Sequence, residues 1–420
     1  MIAFFCVKYT TLLGRLFHVI DIRDEFPVLS KGVIYLDSAT VNLVPKSSIE
    51  QISLFYSNIG NTIRRGIHKL AQQAEDLFIE AKTKAANFVN ASENEIAWMP
   101  SEDYGINFLL NSIDLKKGDK IITSVFEHHS LLAPLVIMEK TSGINIDYIS
   151  LEGEYDLVSS ILSKITSEVK LIALSHVSPL IGTYRDIERI TENIKKEYPE
   201  IDILVDFSRS AGLTLIDLNR LKIDYAVFDG SLSMLAPNGS AFIYVRKEKI
   251  PKMNCKIAGS TSVRYLLPHD YGLMRAIERF EPGQPNIASF LALRKSIELL
   301  ERISVEKIEI HRKEIMRNLF DRLQEIPKIN IVDPLLDSAM GLPNRSNIVS
   351  LSIEGISPHD VAMMLDEMGN IIVRSGLICN HPGIYALGLE GVLQVSTHIY
   401  NNNEDIEVFT ETLKQVMSVL

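Results

Sequence analysis

IDILVDFSRSAGLTLIDLNRLKIDYAVFDGSLSMLAPNGSAFIYV, residues 201–245, contains three short, mostly apolar runs, at 203–206, 225–228 and 240–245. Turn-rich or helical segments separate them. Working outward toward the N-terminus, the same kind of run recurs at 171–175, 144–149 and 120–124. Near-continuous apolar strands with helices between them predict a mainly parallel sheet covered on both faces. The ligand sites of such a sheet are expected beyond the carboxyl ends of its strands.

Before these strands, the stretch 69–88 places Leu70, Ala74, Leu77, Phe78, Ala81, Ala85 and Phe88 on one face of a helix. After them the pattern changes. Helical periodicity runs from about 287 to 326, followed by strand candidates at 348–353, 371–374 and 393–396. A closing helix from Glu404 carries Ile406, Phe409, Leu413 and Val416 as its apolar stripe. This divides the chain into an N-terminal segment (1–30), a large domain (31–270) and a smaller C-terminal α+β domain (271–420).

The composition suits such a fold: 420 residues, 46% hydrophobic and 23% charged. A formal charge of -10 gives no bulk attraction for nucleic acid or anionic lipid. Lys8, Arg15 and His18 interrupt the apolar start, and no run is long enough to span a membrane. Nor does the N-terminus have the order of a secretory signal. Cys6, Cys255 and Cys379 are too few and too scattered for a disulfide framework or a metal site read from spacing. The expectation is a cytoplasmic protein with no resident metal.

Several segments carry more than periodicity. They are Tyr-Leu-Asp-Ser-Ala-Thr at 35–40, Arg-Arg-Gly-Ile-His at 64–68, Glu127-His128-His129, and His176-Val177-Ser178. Further on come Val205-Asp206, Phe-Glu-Pro-Gly-Gln-Pro-Asn at 280–286, Ser-Pro-His-Asp-Val at 357–361, and Arg374-Ser375-Gly376-Leu377-Ile378-Cys379-Asn380-His381-Pro382. Singly, each has an ordinary reading. A strand-end Asp is usually a cap, a His pair in a loop is usually surface, and a lone Cys in an apolar stretch is usually buried filler.

In this order and spacing, from about residue 21 to the C-terminus, they resemble the cysteine desulfurases of the class V pyridoxal phosphate enzymes, the group that includes selenocysteine lyases. The resemblance implies a fold-type I homodimer, with a large seven-stranded domain, a small C-terminal domain and the cofactor between them at the dimer interface. It also implies transfer of sulfur from cysteine to an enzyme thiol as a persulfide.

That chemistry needs a Schiff-base lysine, a carboxylate at the pyridine nitrogen, a stacked ring, a phosphate cradle and an arginine for the substrate carboxylate. By resemblance, Asp206 is the pyridine carboxylate and His128 the stacking ring. Ser178 and Ser231 stand at cofactor-contact positions, but the Asn expected after Ser178 is Pro179, which has no amide N–H. The family's Ser-Gly-His-Lys reads Asp229-Gly230-Ser231-Leu232 here, so the lysine falls on Leu232, or on Ser233 if the insertion before Pro237 lies earlier. No lysine occurs between Lys222 and Lys247.

The Gly-Thr-Thr-like phosphate turn reads Ser101-Glu102-Asp103. At about 4 Å and an effective dielectric near 20, each like-charge pair there costs roughly 4 kcal/mol. Arg209 replaces a Gln and is expected to pair with one of these carboxylates. The substrate arginine is replaced by Gln394, while Arg374 is kept. Cys379 matches the persulfide-forming cysteine, though Leu377 and Ile378 make its surroundings apolar, which blunts a thiol.

The expectation is therefore a cysteine desulfurase-like pseudoenzyme that holds no covalent pyridoxal phosphate. It would act as a dimer with itself or with an intact paralog, as a scaffold, or as a sulfur acceptor or donor for another protein. The alternatives are a working cysteine desulfurase, or a different enzyme reusing the pocket through Asp206, His128, Glu102 and Arg209.

Overall fold

The computed structural model describes residues 22–150, 152–333 and 344–420. Most of the N-terminal segment, including Cys6, lies outside the described residues. Two short 3-10 turns, Arg23–Glu25 and Pro27–Lys31, lead into the first strand, β1 (Ile34–Tyr35). The central sheet then comprises β2 (Ile96–Met99), β3 (Lys120–Ser124), β4 (Asn145–Ile149), β5 (Val169–Ser175), β6 (Asp202–Asp206), β7 (Tyr225–Asp229) and β8 (Ala241–Val245), in the order β2-β8-β7-β6-β5-β3-β4. The pairings from β4 through β7 are parallel, and β8 runs antiparallel to both its neighbours. β7 and β8 are buried along their whole length, which is why they read as unbroken apolar runs.

The register matters for function. β3, β5, β6 and β7 end on Ser124, Ser175, Asp206 and Asp229, with Ser175 beside Asp206. The polar residues that close each apolar run thus gather on one edge of the sheet, the carboxyl edge.

Helix Lys69–Phe88 forms over the expected residues and buries Ala71, Ala74, Phe78, Ala81 and Ala85. Leu70, expected on this face, is instead 42% exposed, because it sits in the first turn beside the N-cap His68. The helical patterns expected over 287–326 form two helices, Ile287–Ile303 and Val305–Leu323. They break at Ser304, whose φ of 78° lies in the left-handed region and whose side chain accepts the Lys307 amide. Helix Ile287–Ile303 packs on helices Lys46–Asn58 and Lys69–Phe88, with the Phe78 and Phe290 rings 5.5 Å apart.

A hairpin of β9 (Val263–Leu267) and β10 (Asp270–Leu273) follows β8 in the chain. The second sheet has the order β11-β12-β15-β14, from β11 (Ile329–Ile331), β12 (Ile348–Ile353), β14 (Arg374–Gly376) and β15 (Val392–Ser396). The strand expected at 371–374 is divided at Val373. Its first half, β13 (Ile371–Ile372), pairs in parallel with β1, and its second half is β14. Residues from Ile315 to Val416, with Leu36, form the second core, which includes the expected stripe of Ile406, Phe409, Leu413 and Val416 on helix Asn403–Val419. Among the described residues, no helix is long and apolar enough to cross a membrane.

Candidate functional site

The site grows from the turns at the carboxyl edge of the large sheet. Asp206 ends β6, is buried, and accepts the Ser208 amide at 2.9 Å. One turn residue further on, Arg209 reaches back across the edge. Its Nη1 donates to both oxygens of Glu102, at 3.0 and 3.1 Å, and lies 3.8 Å from Asp206 Oδ2. Glu102 is the first residue of helix Glu102–Ser112, which Ser101 caps. The pairing expected for Arg209 therefore forms, and with Glu102. Asp103 is exposed at the start of the same helix, where burial and the neighbouring Glu102 raise its carboxyl, so both carboxylates stand at this turn.

His128 caps the next helix, His129–Ser142. Its Nδ1 is 2.9 Å from Ser130 Oγ and 3.6 Å from Glu102 Oε1, and Ser130 donates its hydroxyl to the same Glu102 oxygen. Burial, followed by the charge of Arg209, lowers the His128 pKa to about 3, so the ring is neutral. Burial alone would raise Glu102, but the Arg209 guanidinium and the Ser130 hydroxyl outweigh it and hold the carboxyl at about 2. Asp206 is pushed the other way, upward, first by burial and then by Glu102.

At the end of β7 stands a residue whose part the sequence reading missed. Asp229 accepts three hydrogen bonds: the Glu102 amide on Oδ2 at 2.9 Å, and the Ser231 amide and hydroxyl on Oδ1 at 2.9 and 2.8 Å. Ser233 turns its hydroxyl to the carbonyls of Ser208 and Ala211 at 2.7 and 2.5 Å, whereas Leu232 is half-buried.

A second cluster comes from the small domain. Arg374 donates from Nη1 to Thr40 Oγ1 at 2.8 Å and from Nη2 to Cys379 Sγ at 3.0 Å, and Thr40 donates to Asp37 at 2.6 Å. Ile378 and Cys379 have φ of 40° and 56°, so the cysteine sits on a tight left-handed turn. The large domain holds that turn: the His129 amide donates to the Cys379 carbonyl at 2.9 Å, and Asn380 Nδ2 donates to the Glu127 carbonyl at 2.8 Å. The His129 and His381 rings meet edge to face at 4.4 Å.

Asp206, Arg209, His128 and Ser231 thus fall around Glu102 and Asp229, with Arg374 and Cys379 docked next to them. Ser178 and Gln394 do not join. Ser178 is buried in the loop after β5, where its hydroxyl makes long contacts of 3.4 Å with the Phe126 carbonyl and the Ile181 amide. Gln394 Nε2 donates to the Pro179 carbonyl at 3.0 Å and to Ser350 Oγ at 2.9 Å, so the amide that replaces the family arginine is used inside the protein.

Sequence reasoning also missed a buried ion network beneath the site. Arg185 bonds Glu127, and also Glu154 at 2.9 and 3.2 Å, while Ser175 bonds Glu127. Glu127 was visible only as the first letter of a Glu-His-His run. Among the described residues, no group of three side chains could hold a metal.

Measured against pyridoxal phosphate, these residues do not fit the group. The strand end that should offer an amine offers Leu232 and a committed Ser233. The helix N-terminus that should cradle phosphate is already bonded to Asp229, with Glu102 at its first position. Asp206 and His128 stand where the resemblance places the ring-nitrogen carboxylate and the stacking imidazole.

The profile of the family described as aminotransferase class-V matches residues 34–409. A probable cysteine desulfurase of Pyrococcus abyssi is 31% identical over 95% of this chain and 98% of its own. A probable cysteine desulfurase of Halalkalibacterium halodurans is 30% identical over 94% and 97%. The apo structure of a cysteine desulfurase from Thermococcus onnurineus NA1 superposes with a TM-score of 0.89 at 30% identity, covering 95% of this chain and 98% of that one. With the motif order, the seven-stranded sheet and these relatives in agreement, the chain belongs to the pyridoxal phosphate-dependent class V aminotransferase family, among its cysteine desulfurases.

Proposed function

We propose that this protein is a non-catalytic member of the cysteine desulfurase group, acting in the cytoplasm as a dimerising scaffold or as the partner of an intact paralog. The observation that carries the reading is the end of β7. No lysine occurs between Lys222 and Lys247. Lys222 precedes β7, at the opposite end of the strand from the site. Neither Leu232 nor Ser233 can form an aldimine. The test is to titrate the purified protein with pyridoxal phosphate, treat it with borohydride, and look for the aldimine absorption and a reduced covalent adduct by mass. No adduct is expected. A stoichiometric lysine adduct would overturn the proposal and return the chain to the working desulfurases that its relatives are named as.

One contact favours a second reading. Arg374 Nη2 donates to Cys379 Sγ at 3.0 Å, so the thiol at the family's persulfide position is held in a defined place on its turn. In this reading the protein accepts sulfur from, or passes it to, another protein. Recovery of a persulfide on Cys379 after incubation with a persulfide donor protein would favour it over a purely structural role.

A further inference from the structure

We infer that Asp229 is a built-in substitute for the phosphate of the family's cofactor, and that Asp229 together with Glu102, beyond the missing lysine, makes the cleft refuse phosphorylated ligands. The inference rests on the proposed loss of cofactor chemistry and names the residues that enforce it. A helix N-terminus presents unpaired N–H groups and a partial positive charge, which is how such turns bind phosphate. Here two of those donors are already used. In helix Glu102–Ser112, the Glu102 amide donates to Asp229 Oδ2 at 2.9 Å and the Tyr104 amide donates to Ser101 Oγ at 3.2 Å. On the other side, the Ser231 amide and hydroxyl, at the positions where the resemblance places cofactor contacts, close on Asp229 Oδ1. One buried carboxylate therefore collects the donors from both turns.

An internal anion has an advantage over a dissolved one. It is part of the chain and loses no translational freedom on taking its place. Phosphate could enter only by displacing it, leaving a buried carboxylate without its donors, which is costly. Electrostatics points the same way. Asp229, Glu102 and Asp206 are all buried, and Arg209 is the guanidinium set among them. A doubly charged phosphate would have to enter beside Glu102, which already engages Arg209, with the Asp229 carboxyl still next to it. Restoring the amine alone would leave all of this in place.

The experiment uses the full chain and two probes, inorganic phosphate and pyridoxal phosphate, read by calorimetric titration and thermal shift. Circular dichroism confirms folding. The variants are Leu232→Lys, the double variant Glu102→Thr/Asp229→Ser, and the isosteric pair Glu102→Gln/Asp229→Asn, which keeps side-chain volume if the first double variant does not fold. Wild type and Leu232→Lys are expected to show no saturable binding of either probe. A folded double variant should bind both, at least about tenfold more tightly than wild type. Saturable phosphate binding by wild type would overturn the inference. So would folded double variants no better than wild type, and with no borohydride adduct this outcome would leave the non-catalytic reading standing. A lysine adduct in wild type would overturn both.

Discussion

At His128 the folded protein keeps an imidazole from taking a proton that the unfolded chain would bind near pH 6.5, because burial and Arg209 bring its pKa to about 3. Between those two values the unfolded state binds more protons, so stability is lost as pH falls from about 6.5 toward 3. Burial does the same to His176, at about 3, and to His398, at about 4. Glu102, held at about 2 against an ordinary 4.5, adds a loss over the lower part of that range. Asp206, raised by burial and by Glu102, works in the opposite sense, since protonating it relieves a cost. Over pH 7 to 5 the three histidines lower the urea midpoint as pH falls, and the raised carboxyls of Asp206, Glu127 and Asp229 oppose them. A His128→Gln variant should show a shallower fall, and an identical slope would contradict the assignment. Cys379 gives a second test at this scale. With buried Ile378 and partly buried Leu377 flanking it, it should alkylate more slowly than free cysteine once Cys6 and Cys255 are replaced by Ser. Rapid labelling would count against this and shift weight to the sulfur-transfer reading. The sequence exposed Asp206, His128, Arg209 and Cys379 because each stands in a recognisable motif. Asp229 stayed hidden because a strand-end aspartate reads as a cap, and only the fold shows that the amide it accepts from a distance belongs to Glu102.

Helix Lys69–Phe88 shows what periodicity can and cannot give. Phe78 is buried and meets Phe290 across the interface with helix Ile287–Ile303, so Phe78→Ala should cost roughly 3–5 kcal/mol in denaturant unfolding. Leu70, on the same predicted stripe but exposed, should change stability by less than about 0.5 kcal/mol when replaced by Ala. Equal losses at the two positions would mean that the stripe, and not the observed packing, describes the helix. Most of the six runs found in the large domain were legible because their strands are largely buried, β4 being the one that is mostly half-buried. β2, Ile-Ala-Trp-Met, was missed although it is no shorter than the runs read at 203–206 and 225–228. The break at Ser304 was hidden because apolar spacing continues across it, and only the positive φ marks the end of one helix and the start of the next. The β9–β10 hairpin carries its large apolar side chains outward, contrary to the burial rule on which the sequence reading relied.

That outward face belongs to the scale of the whole molecule. Leu266, Leu267, Tyr265 and Tyr271 are exposed on the β9–β10 hairpin, and Ile67 is 96% exposed on the Arg-Arg-Gly-Ile-His turn. A monomeric surface rarely leaves such large apolar groups uncovered together on one element. The turn and the 280–286 segment, both expected at a dimer interface by resemblance, are joined within one chain, since Arg64 bonds Glu281 at 2.9 Å and Thr62 bonds Gln284. Phe280 and Glu281 are themselves buried, so they brace this region from inside, and the contact falls to the exposed side chains. Gly259 lies close to Pro282 and Gly283, linking the approach to the hairpin with the same segment. A chain that needed no partner would gain solubility by replacing these residues with polar ones. Light scattering at micromolar concentration should therefore give the mass of a dimer, or of a heterodimer once an intact paralog is added. Leu266→Asp/Leu267→Asp should shift it to the monomer without loss of helical signal, because neither side chain contributes to a core. A monomeric wild-type mass unchanged by the paralog would end the scaffold reading, and a dimer unaffected by the double substitution would place its interface elsewhere on the surface.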